Sequence, residues 1–147
     1  MGSRPDRTIG LRCILRTLTV CLLVTAAGCG DGRGQVRGRL TIDGAAAPAG
    51  LLLEFQPRGS NSSPSLARTD AAGAYELWQT STKKGITAGP CTVRVSIAPA
   101  AADRGPPKLP PELEKLRIPP RYGSESSLTY EIKPGLQTID IDIDIDP

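Results

Sequence analysis

The 147-residue sequence predicts an all-β fold, a seven-stranded antiparallel β-sandwich. Glycine and proline are frequent, with 16 and 14 residues, which suits short strands joined by many turns better than helices. Apolar residues recur at every second position in several segments, which is the period of a strand with one buried face. Aromatic residues make up only 3% of the chain, so aliphatic side chains must build most of the core.

Alternating segments divide the chain into the predicted strands. They cover residues 36–42, 51–57, 66–69, 74–79, 91–97, 128–132 and 137–146. Turn residues separate them, notably Asp43-Gly44 and the run from Asp70 to Gly73, where aspartate accepts backbone hydrogen bonds and glycine takes positive φ. Cys91 has the same parity as the apolar residues of the fifth strand, which predicts that it is buried.

The first 28 residues predict a lipoprotein signal peptide. An arginine-rich start precedes an apolar run that ends at Gly28 and is shorter than the roughly 20 residues of a membrane-spanning helix. Small residues directly before Cys29 resemble the lipobox of bacterial lipoproteins, although Ala26 stands where leucine is usual. This resemblance implies cleavage between Gly28 and Cys29 and lipid on the Cys29 thiol. An ordinary secretory signal and a membrane-spanning anchor are the alternatives.

Lipidation would anchor the chain to a bacterial membrane in the cell envelope, facing the periplasm or the exterior. Residues 29–34 would be a flexible tether, and residues 35–147 would form the domain. Without the leader the chain carries 14 basic and 14 acidic side chains, which argues against nucleic-acid binding. Cys91 would then be the one remaining free thiol, so no internal disulfide is expected.

Several motifs of the predicted domain resemble one known family. The motifs, in chain order, are VRGRLTIDG, TDAAGAYEL, ITAGPCTVRV and IPPRYGSESSLTYEIKPG. They resemble carboxypeptidase regulatory-like, transthyretin-like domains of small planctomycete-type lipoproteins, over nearly the whole chain after Gln35. The resemblance implies a prealbumin-like, Ig-like sandwich, and it implies no particular molecular function. Cys91 departs from the pattern, because an aromatic residue is common at that position.

Residue types limit the chemistry of the mature chain. It contains no histidine, so a zinc site and the Ser-His-Asp and Cys-His arrangements lack essential members. No glycine-rich phosphate loop with a following Lys-Ser or Lys-Thr is present. We therefore expect a non-enzymatic protein without metal or cofactor, either structural or interacting with an envelope protein.

Trp78 and the segment 99–126 are the candidate binding surfaces. Strand parity places Trp78 opposite Tyr75 and Leu77, where it could stack on a sugar or a protein partner, or be half-buried under a neighbouring loop. The segment 99–126 contains seven prolines and predicts an extended, solvated loop with at most one helical turn, at 112–116. It carries Arg121 and Tyr122, which are further candidate contacts. A carbohydrate-binding module is the alternative function.

The C-terminal segment 139–146 alternates isoleucine and aspartate. In a strand, this pattern sends the isoleucines to the core and the aspartates to solvent. Carboxylates on one face then lie about 6.8 Å apart, too far to converge on one calcium ion. We predict a strand with solvated aspartates, which discourage pairing with another copy.

Overall fold

The computed structural model describes residues 32–58, 62–98 and 109–145. The predicted signal peptide and Cys29 lie outside these residues. The strands are β1 Arg33–Ile42, β2 Ala45–Ala46, β3 Leu51–Pro57, β4 Ser65–Arg68, β5 Ala74–Glu76, β6 Ile86–Thr87, β7 Gly89–Ile97, β8 Thr129–Ile132, β9 Gly135–Thr138 and β10 Ile141–Ile143. The helical elements are α1 Pro111–Glu114 and a 3₁₀ helix at Pro120–Tyr122. No helix within the described ranges is long and apolar enough to cross a membrane.

Two sheets enclose one core, so the all-β prediction is confirmed. In the first sheet, β1 pairs antiparallel with β2, β5 and β6 and parallel with β9 and β10. The second sheet is antiparallel throughout, in the order β4-β3-β7-β8. The described residues form ten strands rather than seven, because short strands β2 and β6 pair with β1 and because the last predicted strand is divided.

The division of the last strand lies between β9 and β10. β9 pairs with the start of β1 and β10 with its end, while Ile139 and Asp140 belong to neither strand. The Asp140 carboxylate accepts the Arg39 N–H at 2.8 Å, so a side chain takes the place of a ladder bond there. Ile141 and Ile143 are buried between exposed aspartates, as predicted.

The core is built from the inward residues of both sheets. Residues 51, 53 and 55 of β3 are fully buried, and the intervening residues are partly exposed. Cys91 is also fully buried, which confirms its predicted parity. The fully buried residues with the largest side chains are Phe55, Leu40, Leu51, Leu53, Leu77, Ile86, Leu113, Ile132, Ile141, Ile143, Val36 and Val93.

Two boundaries differ from the sequence prediction. β1 begins at Arg33, so the last two residues of the predicted tether belong to a strand that pairs with β6 and β9. The described part of segment 99–126 packs against the core, where Leu113 of α1 is only 1% exposed. The prediction of a solvated excursion is therefore wrong for residues 109–126, because apolar residues between the prolines cover the second sheet.

Candidate functional site

The β4–β5 hairpin connects the two sheets at one corner of the domain. Leu66 and Trp78 exchange two backbone hydrogen bonds of 2.8 Å, and the Asp70 N–H donates to the Ala74 carbonyl at 2.9 Å. Between these two points the strands separate, since β4 pairs with β3 and β5 pairs with β1. The turn forms as predicted: the Asp70 carboxylate accepts the Ala72 and Ala74 N–H groups, and Gly73 has a φ of 72°.

An open cleft of about 1150 Å³ lies over this hairpin, and we call it the Trp78 cleft. Its apolar side is formed by Leu52, Leu66 and Trp78, and its basic side by Arg37 and Arg39 of β1. Leu66 is 42% exposed and is one of the two large apolar residues exposed in the described chain. The cleft therefore offers an apolar surface next to two cations.

One side chain of the hairpin region, Lys84, covers the Trp78 ring. The Lys84 ammonium lies 4.7 Å from the ring centroid and 2.9 Å from a carboxylate oxygen of Glu76. A cation over an aromatic face is held by the ring quadrupole, and the ion pair fixes its position. Trp78 is thus half-buried under its neighbouring loop and still lines the cleft. A sugar stacking on this ring face would have to displace Lys84.

The acidic side chains around the cleft are already bonded within the chain. Glu76 pairs with Lys84, Asp70 caps its own turn, and Asp140 accepts the Arg39 N–H. In contrast, no carboxylate within the described ranges lies at ion-pair distance from the guanidinium groups of Arg37 or Arg39. With Glu76 neutralised by Lys84, the cleft lining keeps three cations, of Arg37, Arg39 and Arg68, and two carboxylates, of Asp70 and Asp140. Its net charge is therefore only slightly positive, and it is carried by the arginine side.

Arg121 and Tyr122 do not join Trp78 in one site. They lie in the 3₁₀ helix, where the Arg121 guanidinium donates to the Asp144 carbonyl at 2.7 Å. The Asp144 N–H donates to the Tyr122 hydroxyl at 3.3 Å, so both residues hold the C-terminal end of the described chain. The 3₁₀ helix contacts β7, whereas Trp78 pairs with β4, two strands away in the same sheet. Neither residue lines the Trp78 cleft.

Cys91 is the described residue with the most nucleophilic side chain, and its surroundings suppress that reactivity. Burial raises the pKa of the thiol to about 11, which keeps it protonated at neutral pH. The described part of the chain contains no group of three or more histidine, cysteine, aspartate or glutamate side chains placed to hold a metal ion. Within the described residues, the Trp78 cleft is the candidate binding surface.

Sequence reasoning found Trp78 but missed the other members of the cleft. Arg37 and Arg39 share one strand face, so their parity could have indicated a paired basic surface. Lys84 gives no such signal, because its position over Trp78 depends on the path of the loop between them.

Comparison with protein-family models, curated proteins and solved structures finds no match to this chain.

Proposed function

We propose that this chain is a non-enzymatic lipoprotein of the cell envelope, anchored by lipid on Cys29, whose domain is a protein-interaction module. The leader and the small residues before Cys29 support the anchor. The two-sheet fold agrees with the carboxypeptidase regulatory-like sandwich that the motifs resemble. The observation that carries the interaction role is the Trp78 cleft, where two arginines without an ion-pair partner among the described residues lie beside the exposed Leu66 and the half-buried Trp78.

The spacing of the cleft residues indicates the form of the partner. Arg37 and Arg39 stand at alternate positions of β1, and same-face residues of a strand repeat at about 6.8 Å. An extended polypeptide with acidic residues at alternate positions repeats at the same interval. Its neighbouring apolar side chains would contact Leu66 and Trp78. We therefore propose an acidic, extended segment of an envelope protein as the ligand of the cleft.

Carbohydrate binding is the second candidate function, and the exposed edge of Trp78 in the cleft favours it. The position of Lys84 over the ring argues against it, because a stacked sugar would compete with a cation that Glu76 also holds. Protein binding needs no such displacement, since Leu66 is accessible as it stands.

Site-specific photo-crosslinking in cells tests the partner. A photoreactive amino acid replaces Leu66 in the full chain, and a second variant carries it at Thr129, an exposed residue of β8, which lies three strands away from β4. We expect an adduct with a particular envelope protein from position 66 alone. The double variant Arg37→Glu/Arg39→Glu should abolish this adduct. The control variant Lys115→Glu/Arg117→Glu should leave it unchanged. Glycan-array binding that Trp78→Ala abolishes would instead establish the carbohydrate function.

The anchor is tested separately by mass spectrometry of the mature N-terminus. We expect an acylated peptide that begins at Cys29 and partition of the protein into detergent. Cys29→Ser should release the protein or leave it unprocessed. A soluble wild-type protein that keeps its leader would contradict the anchor. The interaction role of the cleft would then depend on the crosslinking result alone.

A further inference from the structure

The start of the domain lies very close in sequence to the proposed lipid anchor. Arg33, the first residue of β1, follows Cys29 by four positions. At about 3.6 Å per extended residue, the Cα atoms of these two residues can be at most about 14 Å apart. If Cys29 carries the lipid, one end of the domain must stay near the bilayer surface.

That end, which we call the proximal end, can be identified from the strand register. Gly34 near the start of β1 is paired with Gly135, and Gly89 at the start of β7 is paired with Ile132. The Ala88 N–H donates to the Gly32 carbonyl at 3.0 Å, which brings the two sheets together there. The opposite, distal end contains the β1–β2 turn and α1.

The two ends carry different charge. The described cations of the proximal end are Arg33, Arg58, Lys83, Lys84 and Lys133, and its described carboxylates are Glu76 and Glu131. Glu76 forms an ion pair with Lys84, so its negative charge cancels the charge of Lys84 and of no other cation at this end. At the distal end the balance is reversed, with carboxylates on Asp43, Asp70, Glu112, Glu114, Asp142 and Asp144 and cations on Arg68, Lys115, Arg117 and Arg121.

An exposed leucine accompanies the basic side chains. Leu136 of β9 is 63% exposed, the higher value of the two large apolar residues exposed in the described chain. It pairs with Gln35 of β1, next to the chain entry from Cys29, and Lys133 lies three residues before it. A leucine close to lysines suits the boundary between lipid headgroups and water, where the lysine stems extend along the surface.

We propose that the proximal end of the domain is a membrane-facing surface that binds anionic lipid headgroups through Lys83 and Lys133 and inserts Leu136 at the interface. The proposal rests on the proposed anchor at Cys29. Attraction of lysines to an anionic surface falls off within a Debye length, about 8 Å at physiological ionic strength, so it requires the short tether. The anchor limits the distance, and the charge difference between the two ends sets the orientation, with the distal end directed away from the bilayer.

An environment-sensitive fluorophore on an introduced cysteine tests this orientation. The lipidated full-length product carries Leu136→Cys at the proximal end or Ala46→Cys at the distal end, both exposed sites. The native Cys91 is buried and does not compete for the label. Each protein is placed in vesicles of phosphatidylcholine alone or of phosphatidylcholine and phosphatidylglycerol in equal parts, and acylation of Cys29 is measured on the same sample.

We expect a blue shift and a severalfold rise in emission for the probe at 136 in phosphatidylglycerol vesicles, and none at 46. Raising the ionic strength to about 1 M, where the Debye length is about 3 Å, should reverse the change. Lys83→Glu/Lys133→Glu should abolish it, and the matched distal variant Lys115→Glu/Arg117→Glu should not. An acylated protein that gives equal signals at both sites, or a signal that does not depend on headgroup charge, would contradict the membrane-facing surface. The anchor at Cys29 would still hold in that case. A protein without acyl groups on Cys29 would overturn both.

Discussion

The Tyr75 hydroxyl donates a 2.6 Å hydrogen bond to the Ile139 carbonyl. This bond reaches from β5 across β1 to the point where β9 and β10 separate. It passes over Gly38, at which an added Cβ would lie 1.8 Å from the same carbonyl oxygen. The Tyr75 ring is otherwise buried against Phe55, with centroids 6.0 Å apart. One buried side chain thus fixes the C-terminal segment on the outer edge of the first sheet.

Tyr75→Phe should destabilise the domain by about 1–3 kcal/mol, because it removes a hydrogen bond whose acceptor is close to the core. Chemical denaturation of the two proteins measures this difference. Tyr130→Phe is the matched control, since Tyr130 is only partly buried and no hydrogen bond of its hydroxyl is found within the described ranges. An equal loss in both variants would contradict a specific role for the bond to Ile139.

Gly38→Ala should be more harmful than an average Gly→Ala change in a strand, where alanine is ordinarily the better residue. The new methyl group meets the Ile139 carbonyl, which is backbone and cannot rotate away. We expect a loss of about 1–3 kcal/mol or more from forced repacking, measured by denaturation, with the C-terminal segment exchanging its amide hydrogens fastest. A neutral Gly38→Ala would show that the segment can shift without cost.

The periodic parts of the fold were predictable, and the placement of the C-terminal segment was not. The parity of Leu51, Leu53 and Cys91 is a local property of their strands, so the sequence reveals it directly. The parallel pairing of β9 and β10 with β1 depends on contacts between residues about 100 positions apart, such as Asp140 with Arg39. The position of Lys84 over Trp78 is non-local in the same way, because no period relates the two residues.

Asp140 should matter more for stability than Asp144, although both belong to the same alternating run. The Asp140 carboxylate accepts the Arg39 N–H where the ladder is interrupted, and no described donor bonds the Asp144 carboxylate. We expect Asp140→Ala to cost about 1 kcal/mol and Asp144→Ala under about 0.5 kcal/mol. Asp140→Asn, which keeps an acceptor oxygen, should recover most of the loss in urea unfolding. Equal effects of the two alanine variants would mean that the hydrogen bond from the Arg39 N–H to Asp140 contributes nothing to stability.

Trp78 is the single tryptophan of the chain, so its fluorescence reports directly on the cleft. Lys84→Ala should uncover one ring face and shift the emission to longer wavelength, with a stability change below about 1 kcal/mol because the ion pair is exposed. Arg94→Ala is the control, since it breaks the comparable Arg94–Glu54 pair of 3.0 Å without touching Trp78. An unchanged spectrum in Lys84→Ala would show that the ammonium does not cover the ring in solution.

Cys91 should make the stability of the domain fall in mildly alkaline solution. Its ordinary thiol pKa is about 8.5, and burial raises the pKa in the folded state to about 11. Between these values the unfolded chain has lost the proton and the folded chain still holds it. Because the folded state binds more protons in this interval, the free energy of unfolding decreases as the pH rises. The stabilisation that comes from the neutral thiol is fully present only below about pH 8.

The measurement is urea unfolding from about pH 7 to about pH 9.5, which stays below the ordinary pKa of tyrosine, about 10. At these pH values most of the unfolded tyrosine is still protonated, so Tyr75 and Tyr130, whose pKa values burial also raises, contribute little. The wild type should lose stability above about pH 8.5, whereas Cys91→Ala, although less stable at neutral pH, should show no loss in that interval. A thiol reagent should correspondingly label native Cys91 only as fast as the domain opens. Rapid labelling of the native protein, or an alkaline loss that persists in Cys91→Ala, would assign the effect to another group.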